Sequence, residues 1–169
     1  DNVSTLVDGE LLLTDVGAEY AGYAGDVTRT YPINGTFTDR QRDLYELVLS
    51  TQEAAIDSVR PGVTIEDLNR IAREHMADNS GDLCGEETCE VFFVHGLSHH
   101  LGLDVHDPGL PNLPLAPGMV LTVEPGIYIP DEGIGIRIED DVLVTANGRE
   151  VLSTAAPKSV SAVEAEMAN

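Results

Sequence analysis

Thirty acidic residues against nine basic ones give this 169-residue chain a formal charge of −21, a field that repels phosphate backbones and excludes nucleic-acid binding. The chain is 42% apolar, and no apolar run approaches the ~18 residues of a membrane span, so it reads as one soluble domain with a core of its own and no membrane partner. No secretory signal opens it, and a cytoplasmic location is the expectation. The acidic balance fits both a solvated acidic surface and carboxylates gathered around cations; only position separates the two.

Taken in chain order, "GELLLTDVGAEYAGYAGDVTRTYPI" predicts two β-strands joined by a turn near "EYAG". "TDRQRDLYELVLSTQEAAIDSV" predicts a helix: Thr38 with Gln41 makes a capping box, Leu44, Leu47, Val48 and Ile56 recur at helical spacing, and "RPG" ends it. "TIEDLNRIAREHMADN" predicts a second helix with Ile65, Leu68, Ile71, Ala72 and Met76 on one face. Residues 80–90 read as loop, and their Cys84 and Cys89 are expected as free thiols, a small disulfide being the alternative; without a further Cys or His pair nearby they make no zinc site. "GMVLTVEPGIYI" and "GIGIRIEDDVLVT" are strands around a "PDEG" turn, and the last dozen residues form a weak tail or terminal helix. Strands, then two helices, then strands predict an α+β fold with an antiparallel sheet.

The two hairpins each pair carboxylates. A turn centred between Tyr20 and Ala21 pairs positions whose numbers sum to 41, as those of Asp15 and Asp26 do. A turn centred between Asp131 and Glu132 pairs positions summing to 263, as Glu124 and Glu139 do. Facing side chains on a sheet lie about 4.5–5.5 Å apart at Cβ, and like charges there are destabilising unless something positive sits between them. Asp15, Glu124 and Glu139 follow apolar runs, and burying the four carboxylates without cations costs several kcal/mol apiece. Oxygen-rich sites suit manganese, magnesium or calcium, and an added imidazole shifts the preference toward manganese, cobalt, iron or zinc. "HGLSHHLGLDVHD" supplies imidazoles: four of the chain's five histidines fall in its thirteen positions. Gly96 and Gly102 favour strand and turn over a helix there.

The blocks "TDVGAEYAGYAGDVTRTYPINGTFT", "HGLSHHLGLDVHD", "LTVEPGIYI" and "GIGIRIEDDVLVT" resemble the signature blocks of the pita-bread metallopeptidases, in family order from about residue 9 to residue 152. Within that family they are most similar to the Xaa-Pro aminopeptidases, with the prolidases as near relatives. The resemblance implies a fold of two pseudo-twofold α+β halves and two divalent metal ions, manganese foremost and cobalt, zinc or iron as alternatives. The implied metal ligands are Asp15, Asp26, His99, Glu124 and Glu139, with Asp26 and Glu139 bridging. A hydroxide between the ions would attack the carbonyl of an Xaa-Pro bond in a peptide with proline at its second position. Glu124 would shuttle the proton to the prolyl nitrogen, His95 and His106 would line the proline pocket, and Arg137 would pair with a ligand carboxylate on the substrate side. His100 has no catalytic role in this reading, and His75 on the second helix is structural or solvent-facing.

The resemblance further implies that residues 1–169 are the carboxy-terminal catalytic part of a larger enzyme, lacking an amino-terminal domain, the opening helices and one upstream active-site histidine. A homo-oligomer or a companion amino-terminal fragment is the expected association. The alternatives are an Xaa-Pro dipeptidase with organophosphate hydrolysis as a side activity, or a folded metal-binding fragment without turnover of its own.

Overall fold

In the computed structural model, which describes residues 5–168, strand β1 (Leu11–Val16) runs antiparallel to β4 (Val27–Pro32), with Leu13 opposite Thr30 and Asp15 opposite Thr28. Between them, β2 (Glu19–Tyr20) and β3 (Tyr23–Ala24) close the hairpin on the same register. Paired numbers therefore sum to 43, not to the expected 41, and Asp15 does not face Asp26 directly. The reason is the turn: Ala21 and Gly22 both have positive φ, 54° and 86°, as the tightest hairpin turn requires of its two central residues, so the centre falls one residue later. A shift of two preserves the alternation of faces, and Asp26 stays on the face of Thr28. The continued register sets Gly17 opposite Asp26, where a Cβ on Gly17 would come within 1.9 Å of the Gly25 carbonyl oxygen.

The second hairpin keeps the expected register but not the expected continuity. Strand β5 (Val120–Val123) pairs with β8 (Asp140–Thr145), and β6 (Gly126–Ile129) with β7 (Ile134–Arg137), both on the sum 263. Each long strand is broken at the joint that holds Glu124 and Glu139. Pro125 has no N–H to give there. Glu124 and Glu139 face each other as a non-hydrogen-bonded pair, so the Glu124 N–H points outward to the Leu97 carbonyl (2.9 Å) and the Glu139 N–H to the Thr28 carbonyl (3.0 Å). The opened joint thus admits the histidine segment on one side and β4 on the other. Strand β9 (Gly148–Val151) extends β8.

Helix α1 (Asp39–Ser58) carries the expected Thr38–Gln41 capping box, and α2 (Ile65–Asp78) a second one, Thr64 with Asp67. Leu44, Val48, Leu68 and Met76 from the helices and Leu121, Ile127, Ile136 and Ile138 from the strands are fully buried together, which backs the site with an apolar wall. Ile71 is only half-buried. The terminal helix α3 (Val160–Met167) starts at the Ser159 cap. Among the described residues, no helix is long and apolar enough to cross a membrane.

Cys84 and Cys89 form a disulfide, which overturns the expectation of free thiols. The loop is folded, not extended: Ser80 Oγ donates to the Met76 carbonyl at the end of α2 and accepts the Cys89 N–H at 2.7 Å, bringing the two Cα atoms within 5.3 Å.

Candidate metal centre

Three of the expected ligands converge. One donor atom from each of Asp26, His99 and Glu139 lies within 4.8 Å of the other two. His99 Nε2 stands 3.5 Å from Asp26 Oδ2 and 3.4 Å from Glu124 Oε1, which brings the fourth ligand to the same centre. Asp26 is 8% exposed and Glu139 1%, whereas the Asp15 side chain is 47% exposed and ion-paired with Arg137. Asp15 still meets the cluster through its carboxyl, which bears on that of Asp26. Burial first, and that contact second, hold Asp26 above the usual carboxylate range. Burial pushes Glu124 up to about 7 and Glu139 up to about 8.

The residues that aim these groups sit two positions along the same strand, on the same face. Thr28 Oγ1 donates to Glu139 Oε2 at 2.5 Å and accepts Arg137 Nε–H at 3.1 Å. Thr122 Oγ1 donates to Glu124 Oε1 at 3.2 Å and accepts the His99 N–H at 3.2 Å. Behind Asp26, its N–H donates to Asp141 Oδ2 at 3.2 Å, and burial pushes the Asp141 carboxyl up to about 6. Thr28, Thr122, Tyr128 and Asp141 were not singled out in the sequence, although the alternation rule applied outward from each ligand finds Thr28, Thr122, Arg137 and Asp141.

The imidazoles are sorted by their partners. His99 Nδ1 lies 3.1 Å from the His100 carbonyl, which can only accept, so Nδ1 carries the proton and Nε2 offers its lone pair to the centre. His95 Nδ1 likewise donates to the Gly96 carbonyl at 2.8 Å, while Nε2 accepts from the Tyr128 hydroxyl at 2.8 Å; Arg137 Nη1 donates to that same hydroxyl at 3.0 Å. Burial lowers the His95 pKa, which agrees with a neutral ring. His106 is exposed and stands edge-on to His99, ring centroids 4.3 Å apart. His100 bridges to Asp107 and Leu121 through its main chain, and His75 Nε2 meets Ser50 Oγ at 3.2 Å, so neither belongs to the cluster.

Carboxylate oxygens and an unprotonated imidazole nitrogen, crowded and desolvated, are a donor set that fits a divalent cation. Such an ion would offset the burial, and after it the mutual repulsion, that otherwise favour protonated Glu124 and Glu139.

The model described as metallopeptidase family M24 matches residues 1–146. The Xaa-Pro aminopeptidase of Escherichia coli (strain K12) is 44% identical over 189 residues, taking in 99% of this chain and 43% of that protein. Among solved structures, proline aminopeptidase P II from Yersinia pestis matches with a TM-score of 0.89 at 44% identity, covering 98% of this chain and 43% of the other. An alanine variant of Escherichia coli aminopeptidase P in complex with substrate gives 0.85 at 43% identity, covering 95% and 42%. These likenesses bear out the expected α+β, pita-bread type of fold, of which the described residues form a part. The chain spans less than half the length of the relatives it matches.

Proposed function

This chain belongs to metallopeptidase family M24, and we propose that its carboxylate–imidazole cluster serves hydrolysis of the Xaa-Pro bond at the amino terminus of peptides. The holding residues would be Asp15, Asp26, His99, Glu124 and Glu139, taking two divalent cations, manganese foremost. The chemistry that such bound cations supply is a water made nucleophilic near neutral pH and a polarised scissile carbonyl. The observation that carries this reading is the convergence of Asp26, His99 and Glu139 donor atoms within 4.8 Å on buried carboxyl groups.

The chain's own residues would do the rest. Glu124, 3.4 Å from His99 Nε2 and held by Thr122, would carry a proton to the prolyl nitrogen so that it leaves as an amine. Arg137 would pair with Asp15 and orient the Tyr128 hydroxyl, and through it His95, at the wall that receives proline. Both ring nitrogens of His95 are engaged, so its hydrogen bond to a peptide requires release of the Tyr128 hydroxyl or the Gly96 carbonyl. His106, exposed beside His99, would contact the peptide from the other side. Association with a further copy, or with a companion amino-terminal segment, would complete the wall that these residues begin.

Elemental analysis and turnover test the reading together. The expected result is two equivalents of divalent metal and manganese-dependent release of the first residue from an Xaa-Pro-Yaa tripeptide, faster than from an Xaa-Pro dipeptide. Glu124→Gln should lower that turnover by about 10²–10⁴-fold. Preference for the dipeptide would point to a prolidase; bound metal with no turnover would leave this chain a metal binder needing completion; no bound metal would overturn the reading.

A further inference from the structure

We infer that Arg29, Asp140, Lys158 and Gln52 form a positioning device that fixes the main chain at Glu139 and Glu124 from behind the metal centre; this rests on the metal-centre reading above. Arg29 follows Thr28 on β4, so its side chain leaves the site-facing side and enters the protein, where it is 3% exposed. Its guanidinium spends every N–H: Nε on the Pro157 carbonyl (3.0 Å), Nη1 on the carbonyls of Thr28 (2.8 Å) and Glu139 (2.6 Å), Nη2 on Asp140 Oδ1 (2.7 Å) and the Ala156 carbonyl (3.0 Å).

The bond to the Glu139 carbonyl answers a need that the register creates, for Glu139 stands at a non-hydrogen-bonded position of its hairpin. At the joint the Glu139 N–H already leaves the hairpin for the Thr28 carbonyl, and the Glu139 C=O would be a buried acceptor without a ladder partner. Arg29 supplies that partner, so both main-chain groups of this residue are tied to the Thr28–Arg29 stretch of β4. The other end of the device reaches Glu124. Asp140 Oδ2 accepts from Lys158 Nζ at 2.8 Å, Lys158 Nζ also donates to Gln52 Oε1 at 2.8 Å, and Gln52 Nε2 donates to the Val123 carbonyl at 3.2 Å, one residue before Glu124. Ser153 Oγ closes the network on Asp140 Oδ1 at 2.6 Å. Lys158 is the chain's only lysine, and Gln52 is fully buried. Two cationic groups against one carboxylate also leave a net positive charge behind a cluster of acids. The segment after β9, remote in sequence from every candidate ligand, is thereby coupled to the angle at which Glu124 and Glu139 enter the centre.

The test is a Mn2+ titration of the full chain and its variants, followed by electron paramagnetic resonance, with the thermal midpoint of each metal-free protein measured beside it. Residues that only aim ligands typically change metal affinity by about 10–100-fold. Lys158→Met is expected to weaken Mn2+ binding about tenfold and to alter the spectrum of the bound ion, Lys158→Arg to restore both, and Arg29→Lys, which keeps the charge and loses the fork, to weaken binding further. A merely structural role would lower the thermal midpoint and leave affinity and spectrum of the folded protein unchanged; that result in Lys158→Met overturns the inference. Lys158→Met decides the question if Arg29→Lys fails to fold. A parent chain that binds no Mn2+ overturns the metal-centre reading itself, whereas a parent that binds and variants that match it overturn this inference alone.

Discussion

Glu139 shows most directly what the site costs. Its carboxyl is 1% exposed and is pushed up to about 8 by burial first, then by Glu124, Asp26 and Asp15. In the unfolded chain it would titrate near 4.5. The folded, metal-free state therefore binds the extra proton, and its stability is fully present below about 4.5 and falls as pH rises toward 8. Glu124, pushed to about 7, acts in the same direction. We expect the thermal midpoint of the metal-free protein to fall between pH 5 and pH 8, and Glu139→Gln to flatten that fall while abolishing metal binding. A metal-free midpoint that rises over this range, followed by differential scanning fluorimetry, would contradict the protonated state. The same sign makes divalent metal compete with protons, so affinity should rise over this interval. The residues behind the ligands were legible in principle: Thr28 and Thr122 follow from alternation. Asp141, two residues past Glu139, follows in the same way, whereas Tyr128 does not, because its partner His95 lies on a segment whose placement no local pattern gives.

At the level of elements, the two hairpins were readable to different degrees. The "PDEG" turn centres the second hairpin where the numbers say, and its register of 263 holds across both ladders. The first hairpin slipped by two because the turn lies at Ala21–Gly22, a choice set by left-handed backbone that an alanine rarely adopts. What no hairpin rule could show is which segments flank the joint: Pro125 lacks the N–H that would complete its pair with Ile138, and the outward N–H groups of Glu124 and Glu139 go to the Leu97 and Thr28 carbonyls. The disulfide was open for the same kind of reason, for its closure depends on the loop's docking to the end of α2 through Ser80. The element most sensitive to a single methyl is the first hairpin. A Cβ at Gly17 meets the Gly25 oxygen at 1.9 Å, and the clash is with backbone next to Asp26. Gly17→Ala is expected to destabilise the fold by about 2 kcal/mol or more and to displace Asp26, read as a lower urea midpoint together with weaker metal binding. Unchanged metal affinity in that variant would separate the hairpin's close approach from the geometry of the centre.

Over the whole molecule, the charge of −21 sets two opposing salt effects. The exposed ion pairs, such as Arg40–Glu132 and Arg70–Glu74, contribute little and are weakened by salt. Against them stands an excess of carboxylates that repel one another, a repulsion screened as the Debye length shrinks from about 10 Å at 0.1 M to about 3 Å at 1 M. With so few exposed pairs to lose and so large an excess to screen, repulsion dominates, and the thermal midpoint should rise steadily as sodium or potassium chloride increases over that range. Divalent metal acts by another route: it binds the folded centre and adds about 2.7 kcal/mol once its concentration reaches 100 times the dissociation constant, a gain that can be reached at low total ionic strength. The two contributions are separable in one experiment. Thermal midpoints measured against sodium chloride with and without Mn2+ should give two rising curves offset at low salt; Glu139→Gln should follow the salt curve and lose the offset. If the midpoint of the metal-free chain stays flat or falls up to 1 M, the acidic surface is not a destabilising load, and the crowding of carboxylates is an energetic problem of the centre alone.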